Sequence, residues 1–257
     1  TTGYEEAAAQ GLIAGINATL YGRESEPLIL RRDEAYVGVL IDDLTTKGTQ
    51  EPYRMFTSRV EYRLIVREDN ADKRLAEYGF RLGILDEEAY RSVQHKYDLI
   101  EKEIQHLRAT RVYPSKEVNA RLSQYNSSHL LQPATLASLL KRPELRYEAI
   151  APWDAALKDF PANVIEQVEY EVKYEGFIQR QLKDVEKFKH IENIRIPETL
   201  KYDDIPGLSI EVRQKLKHFS PRNLGQANRI SGVTPAAISL LMVYLRKFFN
   251  DQACAQA

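Results

Sequence analysis

The strongest constraint on the fold lies after Gly83, where apolar residues recur at alternating steps of three and four. Asp86 opens a segment in which Tyr90, Val93, Tyr97, Ile100, Ile104 and Leu107 fall on one side of a 3.6-residue repeat. Aromatics at this spacing are core far more often than binding residues. Pro161 opens a longer pattern running to about Glu192, roughly 48 Å at 1.5 Å per residue. Its apolar line passes through Ile165, Val168, Val172, Ile178, Leu182 and Val185, and another side carries Lys173, Arg180, Lys183, Lys187 and His190. That basic stripe fits a solvated face, or contact with RNA or a protein partner. Between the two patterns, Pro133, Pro143 and Pro152 cut Pro114 to Trp153 into shorter helical pieces, with Trp153 as a packing anchor. The expected fold class is mainly α.

The first eighty residues are less uniform. Thr1 to Gly22 reads as one helix, with Thr2 or Gly3 as N-cap and Glu5 and Glu6 in the first turn, where the helix dipole favours negative charge. Ala7, Gly11, Ala14, Gly15 and Ala18 form a stripe of little bulk, suited to lying close to a sheet or another backbone. The chain begins already inside this pattern, as a piece of a longer protein would. A second helix is expected over Arg31 to Gly48, with Asp33 at its N-cap, and a loop over Thr45 to Tyr53. A turn at Asp69 to Ala71 leads to a short helix ending near Gly79 or Gly83.

Within this region, Lys47, Arg54, Arg59, Arg63 and Arg67 are interleaved with Tyr53, Phe56 and Tyr62. Guanidinium forks fit phosphate, and aromatic faces can stack bases. From Arg59 the alternation of Val60, Tyr62, Leu64 and Val66 with charged residues fits a strand, while arginines at every fourth position fit a helix. Either geometry aligns Arg59, Arg63 and Arg67. The plainer reading is a half-buried element whose charged face meets water, partly neutralised by Glu51, Glu61, Glu68 and Asp69.

Net charge is −1, so any surface for nucleic acid must be a local patch and not a global basic field. Cys254 is the single cysteine, so no internal disulfide forms, which fits a reducing compartment. No signal peptide is recognisable, and no apolar run approaches the ~18 residues of a membrane span. The five histidines show no ligand spacing with carboxylates or the cysteine, and no nucleophilic triad or phosphate-cradling glycine loop stands out. No catalytic residue is assigned.

The last sixty residues read as a small helical module after a hinge-like linker, Arg195 to Tyr202. Two glycine turns, Ile205-Pro206-Gly207-Leu208-Ser209 and Ile230-Ser231-Gly232-Val233-Thr234, precede helix starts. They resemble paired helix–hairpin–helix motifs, although a plain bundle needs similar punctuation. Ser220-Pro221 and Thr234-Pro235 each fit an N-cap followed by proline at the first helical position, and a helix is expected from Pro221 to Ile230.

Three blocks carry a family resemblance: TTGYEEAAAQGLIAGINA, GVLIDDLTTKGTQEPYRMFTSRVEYRL and GQANRISGVTPAAIS. In this order they closely resemble the GidA/MnmG family, and the likeness runs from Thr1 to about Phe249. The chain looks like roughly the C-terminal two-fifths of such a protein, without the family's N-terminal dinucleotide-binding loop. The resemblance implies the FAD-binding subunit of the bacterial enzyme that adds carboxymethylaminomethyl groups to the wobble uridine of tRNA. It also implies a cytoplasmic homodimer that uses NADH and a methylene-folate donor and works with the GTPase MnmE. Residues 1–82 would then complete an α/β FAD-binding domain and present the tRNA-facing stretch, with a helical domain over 83–194 and the module over 195–257. Thr2, Gly3, Tyr4 and Glu5 would close the flavin site through backbone groups, and Lys47, Arg54, Arg59, Arg63 and Arg67 would meet tRNA. The alternatives are a structural helical module for protein assembly, or a flavin enzyme acting on a small metabolite, which would leave the basic face without a purpose.

Overall fold

The computed structural model describes residues 1, 3–46, 51–154, 160–192 and 194–255. The fold is mainly α, as the periodicity demands, and the backbone forms two compact units: 64–181, and 1–63 with 182–257.

In the second group, α1 (Tyr4–Gly22) has Gly3 as its N-cap with no side-chain cap bond, and no residue of the helix is buried. Helix α2 spans Tyr36–Thr46 and buries Val39 and Leu40. Asp33 is not its N-cap. The segment around it forms a turn in which Asp33 accepts from the Arg31 guanidinium at 3.0 Å, so the helix starts later than the sequence predicts. The backbone of residues 30 and 31 runs against α2 at Gly38, where a Cβ would lie 2.4 Å from the Arg31 carbonyl oxygen. Only glycine fits that approach.

The stretch from Arg59 to Arg67 is neither strand nor helix. A single 3₁₀ turn at Thr57–Arg59 is followed by turns and bends. Side chains bond several of its carbonyls in place of a ladder: Arg32 donates to the Arg59 oxygen, Arg67 to that of Leu64 and Asn70 to that of Ile65. Local side-chain bonding has won over both regular alternatives.

In the unit 64–181, α3 (Ala71–Arg81) ends before Gly83, whose φ of +71° suits a residue without a Cβ. Phe80 of α3 stacks on Tyr90 of α4 (Glu87–Ala109) at 4.6 Å between centroids. The Asp86 carboxylate caps α4 by accepting from the Ala89 N–H at 2.8 Å, as expected. A short antiparallel pair, β1 (Arg111–Val112) and β2 (Ala134–Thr135), brackets α5 (Lys116–Gln124). Then come α6 (Leu136–Leu140), α7 (Tyr147–Ile150) and the long α8 (Ala162–Glu192). The core joins Ile100 and Leu107 of α4 to Leu136, Leu139 and Leu140 of α6 and to Val164, Val168 and Val172 of α8, with Trp153 packed at its edge. A polar pair lies inside it: the Tyr147 hydroxyl donates to the buried Glu103 carboxylate at 3.0 Å.

The C-terminal cluster is built from α9 (Ile210–Phe219), α10 (Leu224–Arg229) and α11 (Pro235–Ala255). Residues 195–202, expected to form a hinge, are packed into it. Ile196, Leu200 and Tyr202 are buried, and the Ile196 N–H donates to the Arg222 carbonyl at 2.8 Å. Ser220 does not cap a following helix. It closes α9 in the left-handed region at φ 45°, and Asn223 caps α10 by accepting from the Gln226 N–H at 2.8 Å. Thr234 caps α11 ahead of Pro235 as expected. Both predicted glycine turns are present, with φ +85° at Gly207 and +88° at Gly232.

Candidate nucleic-acid interface

The basic loop is organised by a buried arginine that faces inward. Arg32 is only 4% exposed. It lies 2.7 Å from Asp43, 2.7 Å from Glu61 and 3.0 Å from Asp42. Burial opposes its charge, but the hydrogen bonds and charges of Glu61 and Asp43 outweigh burial and raise its pKa, so Arg32 stays a cation. Arg229 adds a second cation, 2.8 Å from Asp42. The Tyr53 hydroxyl donates to the other Asp43 oxygen at 2.9 Å. Burial first, then the carboxylate of Asp43, pushes that phenol well above its ordinary pKa.

This network fixes the loop at both ends, through Tyr53 and Glu61. Arg59 lies over the Tyr53 ring, 4.5 Å from its centroid. Arg54, Arg59 and Arg63 are exposed and carry no ion pair among the described residues. Of the four carboxylates expected to neutralise them, Glu61 is held by Arg32 and Asp69 by Arg67. Three guanidiniums are therefore left facing solvent on a backbone that is held from beneath.

Arg67 is different. It belongs to the unit 64–181, its side chain is 12% exposed, and its donors go to Asp69 at 3.0 Å, Gln167 at 3.2 Å and the Leu64 carbonyl at 2.7 Å. Its geometry is that of an internal clamp. Lys47 and Thr2 lie outside the described residues.

At the start of α1, Gly3 is buried, while Tyr4 and Glu5 are exposed. The Glu6 carboxylate folds back over Gly3, where a Cβ would meet it at 1.5 Å, and accepts from the Met55 N–H at 3.0 Å. That backbone bond, aided by the charge of Arg54, holds the Glu6 pKa below the usual carboxylate range. The start of α1 therefore has the Glu6 carboxylate packed over Gly3 and tied to the backbone at Met55. Among the described residues no group of three side chains fits a metal ion, and no helix is long and apolar enough to cross a membrane.

The Arg32 network escapes sequence reading because Arg32 sits in a charged run, Arg31-Arg32-Asp33-Glu34, that reads as solvated. The available signal is Asp43, four residues after Val39 on the buried side of α2. A carboxylate there requires a partner cation.

Comparison with known proteins identifies the lineage. Residues 87–182 match the family model described as "tRNA modifying enzyme MnmG/GidA C-terminal helical domain", and residues 184–257 match that of the "MnmG/GidA C-terminal helical bundle". Residues 1–26 match "Glucose inhibited division protein A". The chain belongs to the MnmG/GidA family. A relative from Caldicellulosiruptor saccharolyticus, named tRNA uridine 5-carboxymethylaminomethyl modification enzyme MnmG, is 53% identical over 247 residues, covering 96% of this chain and 40% of that protein. The MnmG of Thermodesulfovibrio yellowstonii is also 53% identical, with 39% of its length covered. The solved structure of Aquifex aeolicus GidA (form II crystal) matches with a TM-score of 0.81 at 46% identity, covering 95% of this chain and 38% of that one. The chain thus spans about two-fifths of the length of its MnmG relatives.

Proposed function

We propose that this chain is the tRNA-facing part of an MnmG-type enzyme that adds a carboxymethylaminomethyl group to C5 of the wobble uridine. The observation that carries this reading is the trio Arg54, Arg59 and Arg63, exposed and in no ion pair among the described residues, on a loop pinned by the Arg32 network. Such a set neutralises phosphates at little ordering cost, because the backbone is already fixed. Lys47 joins them by sequence. The flavin and nicotinamide chemistry falls to the remainder of the protein, with Thr2, Gly3, Tyr4 and Glu5 contributing one edge of the FAD site.

Assembly as a cytoplasmic homodimer working with MnmE belongs to the same reading. Leu240 and Val243, exposed on α11, support partner docking by the C-terminal cluster. The test is binding of unmodified tRNA to the intact protein. Arg54→Ala and Arg63→Ala should each weaken it while flavin stays bound. Unchanged tRNA affinity with lost flavin would make these arginines structural.

A further inference from the structure

Helix α8 buries Val164, Val168 and Val172 and turns Tyr170, Tyr174 and Phe177 to the opposite side, at the i, i+4, i+7 spacing of one helical stripe. These rings are 43%, 41% and 54% exposed, so the core of the unit does not account for them. Tyr170 and Tyr174 stack at 5.6 Å between centroids with 24° between ring planes. A guanidinium stands over each end of the run: Arg67 at 5.2 Å from the Tyr170 centroid, and Arg180 at 4.8 Å from that of Phe177.

Two of the carboxylates on this part of α8 are neutralised, and the exposed Glu166 lies one turn before Tyr170, which places the anion-compatible end of the stripe at Phe177 and Arg180. Glu171 lies 3.6 Å from Arg67, and Glu175 is shared by Lys141 and Arg108, both at 2.6 Å. Arg180 donates only to the Gly176 carbonyl and has no carboxylate partner among the described residues.

We infer that this aromatic stripe is a stacking platform for unpaired bases of RNA. The inference rests on the tRNA reading above and adds a second contact region to it. Aromatic faces bind bases without regard to sequence, and the guanidinium of Arg180 beside Phe177 suits the phosphate of a stacked nucleotide. From Tyr170 to Phe177 the helix rises about 10 Å. That is about the length of three stacked nucleotides at roughly 3.4 Å each. An enzyme that works on a base draws it out of its stack, which deprives neighbouring bases of a stacking partner that exposed rings can replace.

The test compares two probes on the intact protein: a hairpin RNA with an unpaired loop, and a fully paired duplex of its stem. Tyr174→Ala and Phe177→Ala should each weaken hairpin binding about tenfold, the range of one lost base–aromatic stack, and leave duplex binding unchanged. Tyr174→Phe and Phe177→Tyr, which keep the rings, should bind as wild type. If the alanine variants bind the hairpin normally while Arg54→Ala weakens it, the platform is wrong and the tRNA reading stands. Equal loss on hairpin and duplex, or a loss that tracks a changed oligomeric state in sedimentation, also overturns the platform. If the wild type binds neither probe, the tRNA reading fails with it.

Discussion

The Nη1 of Arg32 lies 2.7 Å from Oδ1 of Asp43, with 5% and 2% of the two side chains exposed. The pair joins α2 to the basic loop, because Asp43 also accepts from Tyr53 and Arg32 also holds Glu61. Removing one member of a buried pair leaves a charge without compensation, which costs about 3–5 kcal/mol. Arg32→Met should reach that range, since the buried Asp43 then loses its Arg32 cation, while Asp42 keeps Arg229 and Glu61 reaches water. Asp43→Asn should cost less, because Arg32 keeps Glu61 and Asp42. Urea unfolding of the intact protein reads both. An unchanged midpoint for Arg32→Met would show that the network does not hold the loop.

Glycine separates two kinds of backbone demand. Gly232 has φ +88°, and a left-handed conformation costs an L-residue about 1–2 kcal/mol. Gly232→Ala should therefore destabilise the C-terminal cluster. Displacement of the Lys215 ammonium, 2.1 Å from the new Cβ, is a minor matter at the end of a flexible side chain. Gly176 lies inside α8 with nothing within 4 Å of a would-be Cβ. Gly176→Ala should stabilise by about 0.5–1 kcal/mol through helix propensity. Thermal melts that shift in the same direction for both substitutions would contradict this assignment.

Asp72 gives a pH signature. Burial would raise its pKa, but the Lys96 ammonium at 2.8 Å and the Tyr97 hydroxyl at 2.6 Å, together with the Lys73 N–H, bring it below the usual 3.8. The folded state thus binds this proton more weakly than the unfolded state. The stabilisation is fully present above the unfolded value and is lost as pH falls through the folded one. The stability gap between wild type and Asp72→Asn should be constant at neutral pH and close below pH 3.8. A gap that widens in acid would reverse the assignment.

Much of the helical frame is legible in the sequence because it rests on local rules. The three-four repeat from Tyr90 to Leu107, the Asp86 cap and the Thr234-Pro235 start all depend on neighbours within a turn. Ser220-Pro221 obeys the same rule on paper, yet Asn223 caps α10, because Ser220 is spent closing the preceding helix. The basic loop was legible as chemistry but not as geometry. Arg59, Arg63 and Arg67 look equivalent at four-residue spacing, while partners far away in sequence decide their roles. Arg67 meets Gln167 and Glu171, and Glu61 is withdrawn from the loop's surface charge by Arg32. Long-range pairing of this kind leaves no periodic trace.

The most direct test is the salt dependence of tRNA binding by the intact protein and its Arg54→Ala and Arg63→Ala variants. Each phosphate contact releases counterions and steepens the fall of log K with log salt by roughly 0.7–0.9. Each substitution should flatten the slope by roughly that amount and weaken binding similarly for all tRNA sequences. Slopes identical to wild type, at unchanged affinity, would show that the exposed guanidiniums of this loop do not meet tRNA phosphate.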